Sequence, residues 1–224
     1  MRHFIVAAVL FAAPALAQEA QPAPPPAEQP VPQSVSVALT NPPMTGPRLL
    51  ISTAMGDITL QLDSAHAPQS VANVLKYVKT KHYDGTVVYR VVKGFVVQMG
   101  SFAAHGKGRG VHPGPVPLEA GNGLHNLRGA VALAHGDDPD SATADFFIDL
   151  ADNTALDAAP GTTGYAVFGQ VTDGMDVVDR ISQVPVGDDG PMKGQAPVDP
   201  ILIKKVSIIG DIKPPAAISS KKRK

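Results

Sequence analysis

The chain has 224 residues, with 19 Lys plus Arg against 20 Asp plus Glu, for a formal charge of −1. That balance excludes the clustered basic face that a nucleic-acid partner requires. There is no cysteine, which excludes disulfides and thiolate catalysis, and the length suits one domain with appendages.

Residues 1–17 carry the marks of a secretory signal. Arg2 supplies a positive start, Phe4–Ala13 an apolar run, and Ala15-Leu16-Ala17 a small-x-small cleavage site. The run is shorter than the roughly 20 residues a spanning helix needs, so no membrane insertion is expected after cleavage. Export to the periplasm is the expected destination. Residues 18–47 follow as a Pro/Ala-rich linker, with Pro24–Pro26 and prolines at 22, 30, 32, 42, 43 and 47. Such a segment buries too little apolar surface to offset its ordering entropy and reads as an extended, mobile tether.

The folded domain is expected over residues 48–213. Leu49–Ser52 and Ile58–Leu62, joined through Met55-Gly56-Asp57, read as a β-hairpin. Pro68–Lys79 reads as a helix, with Pro68 in its first turn and Val71, Val74, Leu75 and Val78 at helical spacing. Val87–Val92 and Phe95–Met99 are apolar strand runs split by Lys93-Gly94, and a Gly/Pro-rich loop spans Gly100–Pro117. Three short strands follow at Ala130–Ala134, Phe146–Leu150 and Tyr165–Val171. A second helix is expected at Met175–Ile181 and a last strand at Ile201–Ile209. Short strands with two widely spaced helices predict a mainly β fold, a closed antiparallel barrel with a helix at each end. Residues 214–224 end in Lys221-Lys222-Arg223-Lys224 and read as a solvated basic tail.

Chemistry concentrates in Tyr89–Gly100 and Asp145–Phe147. Arg90, Gln98 and two phenylalanines stand in apolar strand runs, and none is a typical proton-transfer group. By pattern alone Arg90 is a surface strand arginine, and Phe95, Phe147 and Leu156 are core residues. The histidines form no H-E-x-x-H set, and Gly106–Gly110 lacks both phosphate-loop spacings. No G-x-S-x-G elbow exists.

Four ordered blocks change that reading. They are Val88–Gly100 (V-Y-R-V-V-K-G-F-V-V-Q-M-G), Gly129–Ala134 (G-A-V-A-L-A), Asp140–Ile148 (D-S-A-T-A-D-F-F-I), and Tyr165–Val171 with Gly174–Val178. Together they resemble the cyclophilin family of peptidyl-prolyl cis–trans isomerases, in particular its exported bacterial members, over about Leu49 to Ile209. The resemblance implies an eight-stranded antiparallel barrel with two helices and an outer groove for proline-containing polypeptides. It implies that Arg90 is the catalytic arginine and that Phe95, Phe147 and Leu156 form the proline pocket, with Val96 in its wall. Gln98 matches the residue that steadies the arginine, and Ala134 a backbone anchor for the peptide, followed by His135. Tyr165 stands where many members have histidine. Asp145 stands where the family usually has glutamine, expected beside Arg90. Ala155 falls where cyclosporin-sensitive members carry tryptophan. The implied chemistry needs no cofactor and no metal, and the expected form is a monomer. The rival the resemblance leaves open is a non-catalytic peptide-binding or chaperone-like module using the same groove.

Overall fold

The computed structural model describes residues 38–110 and 113–210. The expected signal segment, most of the linker and the basic tail lie outside these residues.

The expected hairpin is formed by β1 (Arg48–Thr53) and β2 (Gly56–Leu62). Its turn is held by the Thr53 hydroxyl, which donates to the Gly56 carbonyl at 2.7 Å and accepts from Met55 N at 3.0 Å. Helix α1 covers Pro68–Lys79. It buries Val71, Val74, Tyr77 and Val78 on one face, and the Glu119 carboxylate accepts from the free N–H groups of Gln69 and Ser70. Strands β3 (Val87–Val92), β4 (Val96–Met99), β5 (Ala130–Leu133), β6 (Phe146–Asp149) and β7 (Val167–Asp173) come next. Helix α2 (Met175–Ser182) starts after Gly174, whose φ of +84° and closeness to the Asp57 carbonyl require glycine. A β-carbon there would lie 2.3 Å from that oxygen. A two-residue ribbon, β8 (Val186–Gly187) with β9 (Ala196–Pro197), precedes β10 (Ile201–Ile209).

Eight strands close an antiparallel barrel in the order β1-β10-β3-β4-β6-β5-β7-β2. Its interior holds Leu49, Ile51, Ile58, Leu60, Val97, Met99, Val131, Leu133, Phe146, Ile148 and Phe168. Both helices add to this core, α1 through Val71 and Val74 and α2 through Val177, Val178 and Ile181. Alternation along the strands sends their other residues outward. Val96, Ala130, Ala132, Phe147 and Val167 thus form a second apolar cluster on the outer face of β4, β6, β5 and β7.

Three expectations need correction. Phe95 and Tyr165 stand just before strands β4 and β7. The Phe95 N–H closes a turn on the Val92 carbonyl, and the Tyr165 N–H goes to the Leu156 carbonyl. The ribbon β8–β9 was not expected, because two-residue strands leave no periodicity to read. The mobile-tether expectation fails over Asn41–Pro47. Asn41 and the His125 backbone exchange hydrogen bonds of 2.9 and 2.7 Å, Met44 packs on the outer cluster, and the Thr45 and Pro47 carbonyls accept from Ser64 and Leu62. Proline prevents strand pairing there, but side-chain and carbonyl bonds do not need it.

Candidate active site

The outer cluster floors an open cleft of about 180 Å³. Arg90, Phe95, Val96, Gln98, Ala134, His135, Phe147, Leu156 and Tyr165 line it. Of the residues singled out in the sequence, Asp145 alone is not on this lining.

Arg90 reaches the cleft because of an irregularity in β3. Val88 is opposite Met99, while Arg90 is opposite Gln98, so β3 advances two residues while β4 advances one. Tyr89 is the extra residue of a β-bulge. Simple alternation would put Val88 and Arg90 on one face; with the bulge, Val88 and Val91 both enter the core and Arg90 turns outward.

The guanidinium is held from two sides. Nη1 donates to Gln98 Oε1 at 2.9 Å and Nε donates to Gln195 Oε1 at 2.6 Å. Among the described residues Nη2 has no hydrogen-bond partner and Arg90 has no ion pair. The Gln98 amide is itself fixed, because its Nε2 donates to the Tyr89 hydroxyl. Gln98 is only 6% exposed, so the short link is shielded from water.

The expected placement of Asp145 beside Arg90 is corrected. Its Oδ1 accepts from Ser101 N at 2.8 Å. The chains at the end of the β4–β6 pair lie close: a β-carbon on Gly100 would lie 2.6 Å from both the Asp145 Cα and its Oδ1. Burial raises the Asp145 pKa, opposed by hydrogen bonding from Ser101. Burial, and then the Asp145 charge, push the Tyr89 phenol well up, so it stays protonated. Donors run in one direction, from Arg90 to Gln98 to Tyr89.

Phe147 is 4% exposed and forms the pocket floor, with the Tyr165 ring edge-on at 5.4 Å. Tyr165 in turn stacks on His135 at 4.5 Å, and the His135 ring nitrogens meet the carbonyls of Gly136 and Gly164 at 2.7 and 2.9 Å. Leu156 sits on a single 3-10 turn, Thr154–Leu156. The next residue, Asp157, fixes that turn by accepting from Asn126 N and Nδ2 and meeting His125 Nδ1 at 2.8 Å. Ala134 lines the cleft, but its N–H already donates to the Asp145 carbonyl at 2.9 Å. As an anchor for a peptide it therefore has no free amide donor.

The chain is matched over residues 48–208 by the family model for cyclophilin type peptidyl-prolyl cis-trans isomerases/CLD.

The chain belongs to the cyclophilin family.

Curated relatives agree. Peptidyl-prolyl cis-trans isomerase A of Dickeya dadantii is 46% identical over 165 residues, spanning 74% of this chain and 86% of that protein. Peptidyl-prolyl cis-trans isomerase B of Escherichia coli is 39% identical, spanning 70% of this chain and 96% of the other. The fold is shared with a Cryptosporidium parvum cyclophilin type isomerase at a TM-score of 0.61 and 23% identity, covering 74% of this chain and 98% of that one. A second structure of that protein was determined in the presence of the dipeptide Ala-Pro, with a TM-score of 0.61 and 22% identity, covering 73% and 99% of the two chains.

This cyclophilin is a peptidyl-prolyl cis–trans isomerase, an enzyme that accelerates rotation about X–Pro bonds during protein folding. Among the described residues no helix is long and apolar enough to cross a membrane. Two residues of the site were missed from sequence: Met192, on the cleft lining, and Gln195, which bonds Arg90. Both lie on the irregular segment between β8 and β9, and neither had a periodic or motif signal that could have found it.

Proposed function

We propose that Arg90 is the catalytic residue and that the apolar cleft beside it binds the proline ring. The X–Pro amide resists rotation by about 18–20 kcal/mol because its C–N bond is partly double. At the twisted transition state resonance is lost and the prolyl nitrogen regains a lone pair. A guanidinium N–H aimed at that nitrogen binds the twisted form better than the planar one, and only such differential binding raises the rate. Nothing covalent breaks, so no group needs to gain or lose a proton. The single observation that carries this reading is the Arg90 guanidinium, held by two glutamines with Nη2 uncommitted at the edge of the cleft. Phe147, Phe95 and Leu156 hold the pyrrolidine ring while the acyl side turns, and Val96 and Tyr165 complete the walls.

The substrates are proline-containing polypeptides, a reading supported by the Ala-Pro dipeptide used with the Cryptosporidium parvum protein. The amino-terminal pattern supports an exported enzyme that loses residues 1–17 and works in the periplasm. Residues 18–40 would then tether a domain that begins at Asn41 and ends before the basic tail.

The test is a proline-peptide isomerisation assay on the purified mature domain and its Arg90→Ala variant. The expected result is a fall in kcat/KM of about a hundredfold or more, the scale of one positioned transition-state donor. Peptide binding with no rate enhancement in the unaltered protein would instead favour the non-catalytic module.

A further inference from the structure

The segment between β8 and β9 has a use that its irregular backbone does not advertise. Gln195 bonds the β3 backbone and the Arg90 side chain at once: its carbonyl accepts from Val91 N at 2.7 Å, and its Oε1 accepts from Arg90 Nε at 2.6 Å. The Val91 bond fixes the height of Gln195 above the strand. The segment is braced internally, with Gly194 N donating to Asp188 Oδ1 at 2.8 Å and Gln195 N to the Met192 carbonyl at 3.2 Å. The same brace brings Met192 onto the cleft.

We propose that Gln195 is a positioning residue for the isomerase reaction, setting the plane of the Arg90 guanidinium from the side opposite Gln98. This rests on Arg90 being the catalytic group. A guanidinium tied only by Nη1 to Gln98 rotates about that bond. A second acceptor at Nε stops the rotation and leaves Nη2 as the donor aimed into the cleft. The acceptor is a neutral amide. It orients the cation without neutralising it, so the full charge remains for the prolyl nitrogen. A carboxylate at the same place would hold the arginine more strongly and compete for its donors.

The experiment compares the full mature enzyme with Gln195→Met, Arg90→Ala and the double variant. Each is assayed for kcat and KM on a proline peptide, and the Arg90 Nε–H resonance is followed by NMR. Methionine keeps the side-chain length and leaves the Val91 backbone bond in place, so the segment stays docked. Gln195→Met is expected to lower kcat about tenfold with KM within about twofold, because orientation is used in the transition state rather than the ground state. The Nε–H resonance, sharp and slowly exchanging in the parent, should broaden or vanish. In the Arg90→Ala background the same change should cost nothing further. Unaltered kcat in Gln195→Met, with Arg90→Ala strongly impaired, overturns the positioning role while leaving the catalytic assignment intact. An equal loss in both backgrounds overturns it as well, since Gln195 would then act through the cleft wall. If Arg90→Ala itself keeps full activity, the catalytic assignment has failed and the positioning role falls with it. Gln195→Glu guards against misfolding of the methionine variant. It keeps the acceptor and is expected to lower kcat while preserving the Nε–H resonance, and unchanged kcat there counts against the neutral-acceptor argument.

Discussion

Tyr89 and Gln98 are joined by a short hydrogen bond on the side of the amide remote from Arg90. The bond settles which way the Gln98 amide faces: its nitrogen is spent on the phenol, so its oxygen must meet the cation. The residue that provides the phenol is the same one that forms the β-bulge and turns Arg90 outward. One position therefore both aims the arginine and fixes its partner.

Replacing Tyr89 with phenylalanine keeps the ring, which packs edge-on against Phe102 at 4.7 Å, and removes only the hydroxyl. Gln98 Nε2 is then left buried without its partner. Loss of one such bond costs about 1 kcal/mol, and the expected outcome is a drop in kcat of about fivefold with a fall of about 2–4 °C in melting temperature. Steady-state isomerisation kinetics check this. An unchanged kcat would mean that Gln98 needs no support.

Asp145 shares no hydrogen bond with Arg90, so its influence on the site is indirect, through its charge near Tyr89. Its folded pKa is raised by burial. The folded state therefore holds the proton more tightly than the unfolded chain, and stability falls as pH rises from the ordinary carboxylate value through the raised one. On the acid side of that window the carboxyl loses the charge that acts on Tyr89. The acid limb of the kcat/KM profile is expected to flatten in Asp145→Asn, with kcat/KM at neutral pH within about tenfold of the parent, the worth of a single hydrogen bond. A variant that keeps the parental acid limb would show that the Asp145 charge does not act on the site.

Asp149 lies on the outer face of β6 and is fully buried. Its Oδ1 accepts from Asn153 Nδ2 at 2.7 Å, while Oδ2 has no partner among the described residues. Burial pushes its pKa up to about 7; the Asn153 bond opposes this, and the charges of Asp157 and Asp152 add to it. The folded protein thus binds more protons than the unfolded chain between roughly pH 4 and 7, and stability declines as pH rises through that window. About three pKa units correspond to on the order of 4 kcal/mol. Asp149→Asn should abolish the decline and raise the melting temperature at pH 8 relative to the parent. Thermal melts at pH 5 and pH 8 check this, and an unaltered slope between them would show that Asp149 is ionised and solvated in the fold.

Ala155 is exposed on the turn that presents Leu156 to the cleft. With no large ring there, inhibition by cyclosporin is expected to be weak. Ala155→Trp should tighten it by about tenfold or more, since a buried aromatic contributes roughly 1.5–3 kcal/mol. Inhibition titrations of both proteins decide it; tight inhibition of the unaltered enzyme would contradict the argument.

The barrel strands, both helices and the cleft residues from Arg90 to Tyr165 were legible in the sequence for two reasons. Apolar periodicity marks which runs are strands or helices, because each must bury one face. The four motif blocks then singled out residues that periodicity alone would have assigned to core or surface.

What the tertiary structure alone decided is which way those residues point and what holds them. The bulge at Tyr89 depends on how β3 registers against β4, and register is a property of two strands, not of either. Gln195 reaches Arg90 across 105 positions of chain, from a segment with no pattern of its own. Asp145 is held by the Ser101 backbone and shares no bond with the arginine. Local sequence specifies local conformation because its interactions are short in range. The partners of a polar side chain are set by which distant segments packing brings within about 3 Å, and only the folded chain determines that.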